Sequence, residues 1–131
     1  MEGITIIDDP VLSGLVCPYC GKPSVLIDSR EVYGRSYGLM RMCRDCDAYV
    51  GCHKGTDIAM GRLANKELRV AKKEAHSAFD ALWKSGMMGR KEAYAFLSEA
   101  MGIEKDRCHI GMFDTGQCRE AARIAIKKRL E

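Results

Sequence analysis

A chain of 131 residues with 47% hydrophobic content has room for one modest core, or for a small domain with an extension. A net charge of +3 excludes a histone-like polycation, so the distribution of charge matters more than its sum. Seven cysteines, no sustained apolar run and no basic-then-apolar leader pattern argue against a disulfide scaffold or a membrane span, and make a reducing cytoplasm the expected compartment.

Residues 1–16 hold a short β-like run, Ile4-Thr5-Ile6-Ile7, broken by Asp8-Asp9-Pro10. It reads as an edge strand or an ordered arm packed on residues 17–55.

Those residues, 17–55, read as a zinc ribbon. Two Cys-x-x-Cys pairs, Cys17/Cys20 and Cys43/Cys46, bracket 22 residues. Each pair can point two thiolates at one centre about 2.3 Å away, and two pairs complete a tetrahedral four-sulfur shell around zinc. The interval is slightly longer than the common spacing of such sites. A redox dithiol is the competing reading, but a thioredoxin-like site needs one such pair opening a helix, not two flanking strands. With all four ligands supplied by the chain, one structural Zn²⁺ is expected rather than a catalytic ion with an open position. That argues against a zinc hydrolase or a zinc deaminase. Gly21 and Lys22 suit a tight turn that aims backbone amides at sulfur, and Arg44 is placed to soften the charge of the thiolates. Ser24 to Ser29 is β-prone, Glu31 to Gly38 suits a turn, Leu39 to Met42 leads back, and Asp47 to Gly51 is a candidate third strand.

After a connector at 56–62, a long helix is predicted from Leu63 to Ser85. Its buried stripe is Ala64, Leu68, Ala71, Ala75, Ala78, Phe79 and Leu82. Arg62, Lys66, Arg69 and Lys73 recur at helical spacing and are expected along one other face. A second helix is predicted from Arg90 to Met101, with Ala93, Phe96, Leu97, Ala100 and Met101 inward and Gly102 as its stop. Cys108 to Phe113 reads as a loop with apolar members. Asp114 with Gln117 resembles a capping box that starts a third helix, ending near Leu130 and carrying Arg119, Arg123 and Lys127 on one face. The expected class is α+β: arm and ribbon over 1–55, then a three-helix unit over 56–131, packed as one compact body.

Taken together, CPYCGKP, EVYGRSYG, CRDCDAYVGCHKGT, LANKELR, AHSAFDALWKSGMMGRKEAYAFL and HIGMFDTGQC resemble a bacterial and phage family called a zinc-finger-containing domain. The likeness runs over about residues 17–122. It implies Cys17, Cys20, Cys43 and Cys46 as zinc ligands and a phage or mobile-element setting, and it implies no reaction.

The functional expectation is nucleic-acid binding, to DNA or RNA, by an accessory protein. From Arg30 to Lys73 there are ten lysines and arginines against five acids. Tyr33, Tyr37 and Tyr49 alternate with Arg30, Arg35, Arg41 and Arg44, and tyrosines stack on unpaired bases while arginines take phosphates. Lys54 and the four bases at Arg62, Lys66, Arg69 and Lys73 extend the candidate set. A solvated ribbon whose tyrosines pack inward would explain the same pattern. A protein-interaction module docking on a polymerase or nuclease is the alternative function. Cys52, His53, Cys108, His109 and Cys118 are spare ligand-type residues with no spacing that links them, and buried structural cysteines are common. No phosphate loop, nucleophile elbow or His-Glu-x-x-His is present, so no enzymatic activity is expected.

Overall fold

A computed structural model of the chain describes residues 9–131; the expected run Ile4 to Ile7 lies outside the described residues. Three short strands form one antiparallel sheet in the order β1 (Val25–Asp28), β2 (Leu39–Cys43), β3 (Ala48–Gly51). Register is set by Ile27 opposite Met40 and by Cys43 opposite Ala48, pairs in which both members are buried. Three long helices come after the sheet: α2 (Lys66–Lys84), α3 (Arg90–Met101) and α4 (Thr115–Leu130). The α+β class, with a small sheet ahead of three helices, is therefore as expected.

The connection from β1 to β2 is more than a turn. Its start is one turn of helix, α1 (Arg30–Tyr33), closed by Gly34 at φ 78°, a conformation glycine adopts without strain. Asp28 organises this tip: Oδ1 accepts from the Arg30 amide at 2.9 Å and Oδ2 from the Ser36 hydroxyl at 3.1 Å. Those two bonds, the amide first, hold the Asp28 carboxyl below its ordinary pKa. The Ser29 hydroxyl accepts from the Tyr37 amide at 2.7 Å and closes the loop.

The long helix starts three residues later than its apolar spacing predicts. Ala64 is held extended, its amide donating to Tyr49 O at 3.0 Å and its carbonyl accepting from Tyr49 N at 3.1 Å. A residue paired to a strand edge cannot take helical angles. Leu63 and Ala64 are buried all the same, Leu63 in the small ribbon core with Cys17, Cys43, Ala48 and Val50. Arg62 therefore lies outside α2 and does not belong to the helical row of bases. The row that the helix carries is Lys66, Arg69 and Lys73.

Contacts divide the chain into two units, the first ending at Lys66 and the second running from Glu67 to Glu131. The connector expected at 56–62 belongs to the first, and the bridge from Cys52 to Ala59 ties it to the end of β3. Ahead of the sheet, Asp9 Oδ1 accepts from the amides of Val11 and Leu12, and the chain turns to Gly14. Gly14 sits at φ 77°, and a Cβ there would come 2.7 Å from Ala59 Cβ and 2.8 Å from Gly61 O. Only glycine fits this seat.

In the second unit α2 buries Leu68, Ala71, Ala75, Phe79 and Leu82, the expected stripe without Ala64 and Ala78. Helix α3 has the predicted limits, and Gly102 stops it at φ 67°. Its buried residues are Ala93, Leu97 and Ser98; Ala100 is exposed, and Phe96 and Met101 are half-buried. The Ser98 hydroxyl is satisfied there by donating to Ile103 O. The segment between α3 and α4 makes two 3₁₀ turns and buries Cys108, Ile110, Met112 and Phe113. Asp114 caps α4 as a capping box: Oδ1 accepts from the Gln117 amide at 2.7 Å, and Gln117 Oε1 accepts from the Asp114 amide at 3.0 Å. Among the described residues, no helix is long and apolar enough to cross a membrane.

Candidate metal centre

Each cysteine pair sits on a tight turn. In the first, the Gly21 amide donates to Cys17 O at 2.9 Å, the Cys17 amide to Lys22 O at 2.9 Å, and the Tyr19 amide to Cys17 Sγ at 3.4 Å. The second turn leaves β2 at Cys43 and re-enters the sheet at Ala48, the residue that pairs with Cys43. Asp47 makes that reversal at φ 49°, a left-handed position that Asp tolerates better than most residues.

The two turns bring Cys17, Cys20, Cys43 and Cys46 to one point, with all four Sγ atoms within 4.8 Å of one another. Cys20 Sγ and Cys43 Sγ are 3.6 Å apart. A tetrahedral zinc–sulfur site with bonds of about 2.3 Å has sulfur–sulfur edges of about 3.8 Å, so the four thiols fit the ion they imply. Cys17 and Cys43 are buried, Cys46 is half-buried and Cys20 is exposed, which places the centre under the ribbon's surface with one edge toward water.

Backbone amides are aimed at sulfur, as the turn sequence predicts. A bond from the Lys22 amide leads the causes that lower the Cys20 thiol. Desolvation raises Cys43, opposed by the Cys46 amide. Desolvation, then the neighbouring thiols, push Cys46 up to about 12. Four thiols this close resist joint ionisation until a cation replaces their protons, which is the chemistry of a thiolate metal site. The donor set is all sulfur and fills four positions, so zinc held here would do structural work.

The compensating cation is not the expected one. Arg44 turns to Glu31, Nη2 to Oε2 at 2.7 Å. Lys22 instead bridges the two turns, its Nζ 3.0 Å from Asp45 Oδ2. Asp45 raises the Lys22 pKa first, and Cys20 and Cys43 add to the effect. The position of Lys22, two residues after Cys20, was the available signal.

The other candidate residues are dispersed. Arg30, Tyr33, Arg35 and Tyr37 all lie exposed on the tip between β1 and β2. Arg41 is half-buried, one guanidinium nitrogen donating to Ser24 O at 3.5 Å, and Tyr49 is half-buried. Lys54 is exposed on the turn closed by His53, whose amide donates to Ile58 O at 2.8 Å and whose carbonyl accepts from Thr56. His53 thus holds its turn by its backbone. Cys52 is buried beyond β3, Cys118 is buried on α4, and Cys108 and His109 lie in the 3₁₀ connection. Changing Cys52, Cys108 and Cys118 together to Ala is expected to leave zinc at its parental stoichiometry by elemental analysis. Stability should fall by about 1 kcal/mol per buried site, the scale of a small lost side chain.

A family model described as a zinc-finger-containing domain matches residues 13–128. No curated protein and no solved structure matches the chain. The match takes in both cysteine turns, the sheet and all three long helices, and the clustered thiols account for the family's description: the chain belongs to the zinc-finger-containing domain family.

Proposed function

We propose that this zinc-finger protein binds nucleic acid through the tip of its ribbon, with single-stranded segments as the preferred form. The observation that carries the reading is the exposure of two tyrosines on a braced loop. Tyr33 is 56% and Tyr37 70% exposed, where a core role would bury them. Their rings meet edge to face at 5.9 Å, and the Arg35 guanidinium lies 5.7 Å from the Tyr37 ring. Asp28, Ser29 and Gly34 hold the loop that presents them, so little ordering is needed on binding. Exposed ring faces with cations beside them are what stacking on unpaired bases requires, and each stacked base is worth about 1–3 kcal/mol. Arg30, Arg35 and Lys54 supply phosphate contacts on the ribbon. Lys66, Arg69 and Lys73 offer a second basic row along α2.

Fluorescence anisotropy with a labelled single-stranded oligonucleotide tests this. Tyr33→Ala with Tyr37→Ala should weaken binding about thirtyfold or more, and Lys66→Glu with Lys73→Glu should weaken all sequences about equally and flatten the salt dependence. Zinc content should stay parental in both. Parental affinity in the folded double-tyrosine variant removes the reading.

One observation favours a protein partner instead. Strand β1 is an edge of the sheet and exposes Val25 and Leu26, a pattern that accepts an added strand. A stoichiometric protein retained after nuclease treatment, and lost on Leu26→Lys, would favour that function.

A further inference from the structure

Helix α3 begins with Arg90 and Lys91, where the helix macrodipole is positive, so the first turn sets two cations against the helix's own field. Glu92 offsets part of this, its Oε1 accepting from the Gly89 amide at 3.5 Å. Gly89 at the N-cap has no side chain to offer, and no side chain caps the first-turn amides. Arg90 is nevertheless fixed: its guanidinium lies 5.5 Å from the Trp83 ring and 5.6 Å from the Tyr94 ring. Two aromatic rings position that charge without neutralising it. Among the described residues, neither Arg90, Lys91 nor Lys105 makes an ion pair with a carboxylate.

Arg90, Lys91 and Lys105 line one cavity of about 610 Å³, together with Glu92, Tyr94, Cys108 and His109. Cavities of about 300–1,000 Å³ are the usual size for small ligands. Cys108 is 1% exposed and forms part of the wall, a buried thiol with no hydrogen-bond partner among the described residues. Burial raises the Cys108 thiol; burial also lowers His109, against the opposing charge of Asp106. Both therefore face the cavity as neutral groups, and the positive charge comes from the three long side chains. Three cations against the single carboxylate of Glu92, at a helix start whose N-cap has no side chain, leave a surplus of two positive charges and make a seat for a dianion.

We propose that this cavity binds a small molecule through a phosphate monoester group, seated at the start of α3 among Arg90, Lys91 and Lys105. A monoester brings close to two negative charges and three acceptor oxygens, which matches the number of cations and relieves the field they set against α3. The site is independent of the ribbon tip, and its test contains no nucleic acid.

The full-length, zinc-loaded protein is titrated with adenosine 5′-monophosphate, with inorganic phosphate and with adenosine, while amide and His109 ring resonances are followed by NMR. The monophosphate should shift Arg90, Lys91, Lys105 and His109 saturably. Inorganic phosphate should shift the same residues at higher concentration, and adenosine should shift none of them. Lys105→Gln removes an exposed, unpaired charge and should weaken monophosphate binding about tenfold, one charge-assisted bond. Arg90→Ala should weaken it at least as much; if loss of its stacking on Trp83 unfolds that variant, Lys105→Gln still decides. Adenosine binding as well as its monophosphate, the absence of saturable shifts, or unchanged affinity in Lys105→Gln would each overturn the proposal.

Discussion

Replacing Cys43 with Ser should cost the protein its zinc and the ordered structure of its ribbon together. Cys43 is the last residue of β2, is buried, pairs with Ala48 and places its sulfur 3.6 Å from that of Cys20. A serine hydroxyl stays protonated near neutral pH and does not replace a thiolate on zinc. Structural zinc contributes on the order of 10 kcal/mol or more of binding free energy, which in a small metal-nucleated domain is folding free energy. Besides the metal, the ribbon rests on a few buried apolar side chains, among them Ile27, Met40, Val50 and Leu63. Its buried cluster is Cys17, Cys43, Ala48, Val50 and Leu63, two of them metal ligands and one an alanine. The expected result is substoichiometric zinc by elemental analysis, loss of the dispersed ribbon amide resonances, and the same spectrum from the parent treated with a strong chelator. Stoichiometric zinc in a folded Cys43→Ser variant would show that the fourth ligand lies elsewhere.

The cysteine turns were legible because their chemistry is local: the spacing of each pair fixes the aim of two thiolates whatever surrounds it. Helix α3 and the start of α4 were legible for a similar reason. Gly102 takes a conformation open to few other residues, and Asp114 and Gln117 satisfy each other's amides within four residues. What was hidden depended on partners far away in sequence. Leu63 and Ala64 continue the helical apolar pattern, yet pairing with Tyr49 holds Ala64 extended. That single bridge also removes Arg62 from the basic row of α2. The salt bridge from Lys22 to Asp45 joins two turns whose residues are 23 apart in the chain. The turn of helix at Arg30 was hidden for another reason. The two glycines of that segment signal a reversal, and only the bonds to Asp28 and Ser29 decide its shape. Along α3, Ala100 and Ser98 have exchanged the places their polarity predicts. Ser98 can be buried because Ile103 O lies within reach of its hydroxyl, which apolar periodicity does not register.

Phe79→Ala should strongly destabilise the helical unit while leaving the metal site loaded. Phe79 is fully buried on α2 and, with Phe113, is among the largest fully buried side chains of the described residues. Its ring packs 4.7 Å from that of Tyr94 on α3, tilted by 57°, so it joins the two helices through an aromatic pair. Truncation of a buried Phe to Ala costs about 3–5 kcal/mol, from lost transfer free energy and the cavity left behind. On its own helix the adjacent buried positions are Ala75, four residues before, and Leu82, three after; the alanine has no length to spare. Domains of this size hold only about 5–15 kcal/mol in all, so the loss takes most of the margin. The measurement is thermal unfolding by far-UV circular dichroism, with zinc assayed in parallel. The midpoint should drop by about 15 °C or more, since each kcal/mol is worth about 4–8 °C in a small domain. Zinc should remain stoichiometric at temperatures where the helical signal has gone, because the four ligands all precede Lys66, where the first unit ends. Phe79→Leu, which keeps most of the volume, should recover more than half of the lost midpoint. A Phe79→Ala protein that melts with the parent would mean that the Phe79–Tyr94 contact does not hold α2 to α3; one that sheds its zinc as the helices melt would mean that the two units unfold as one.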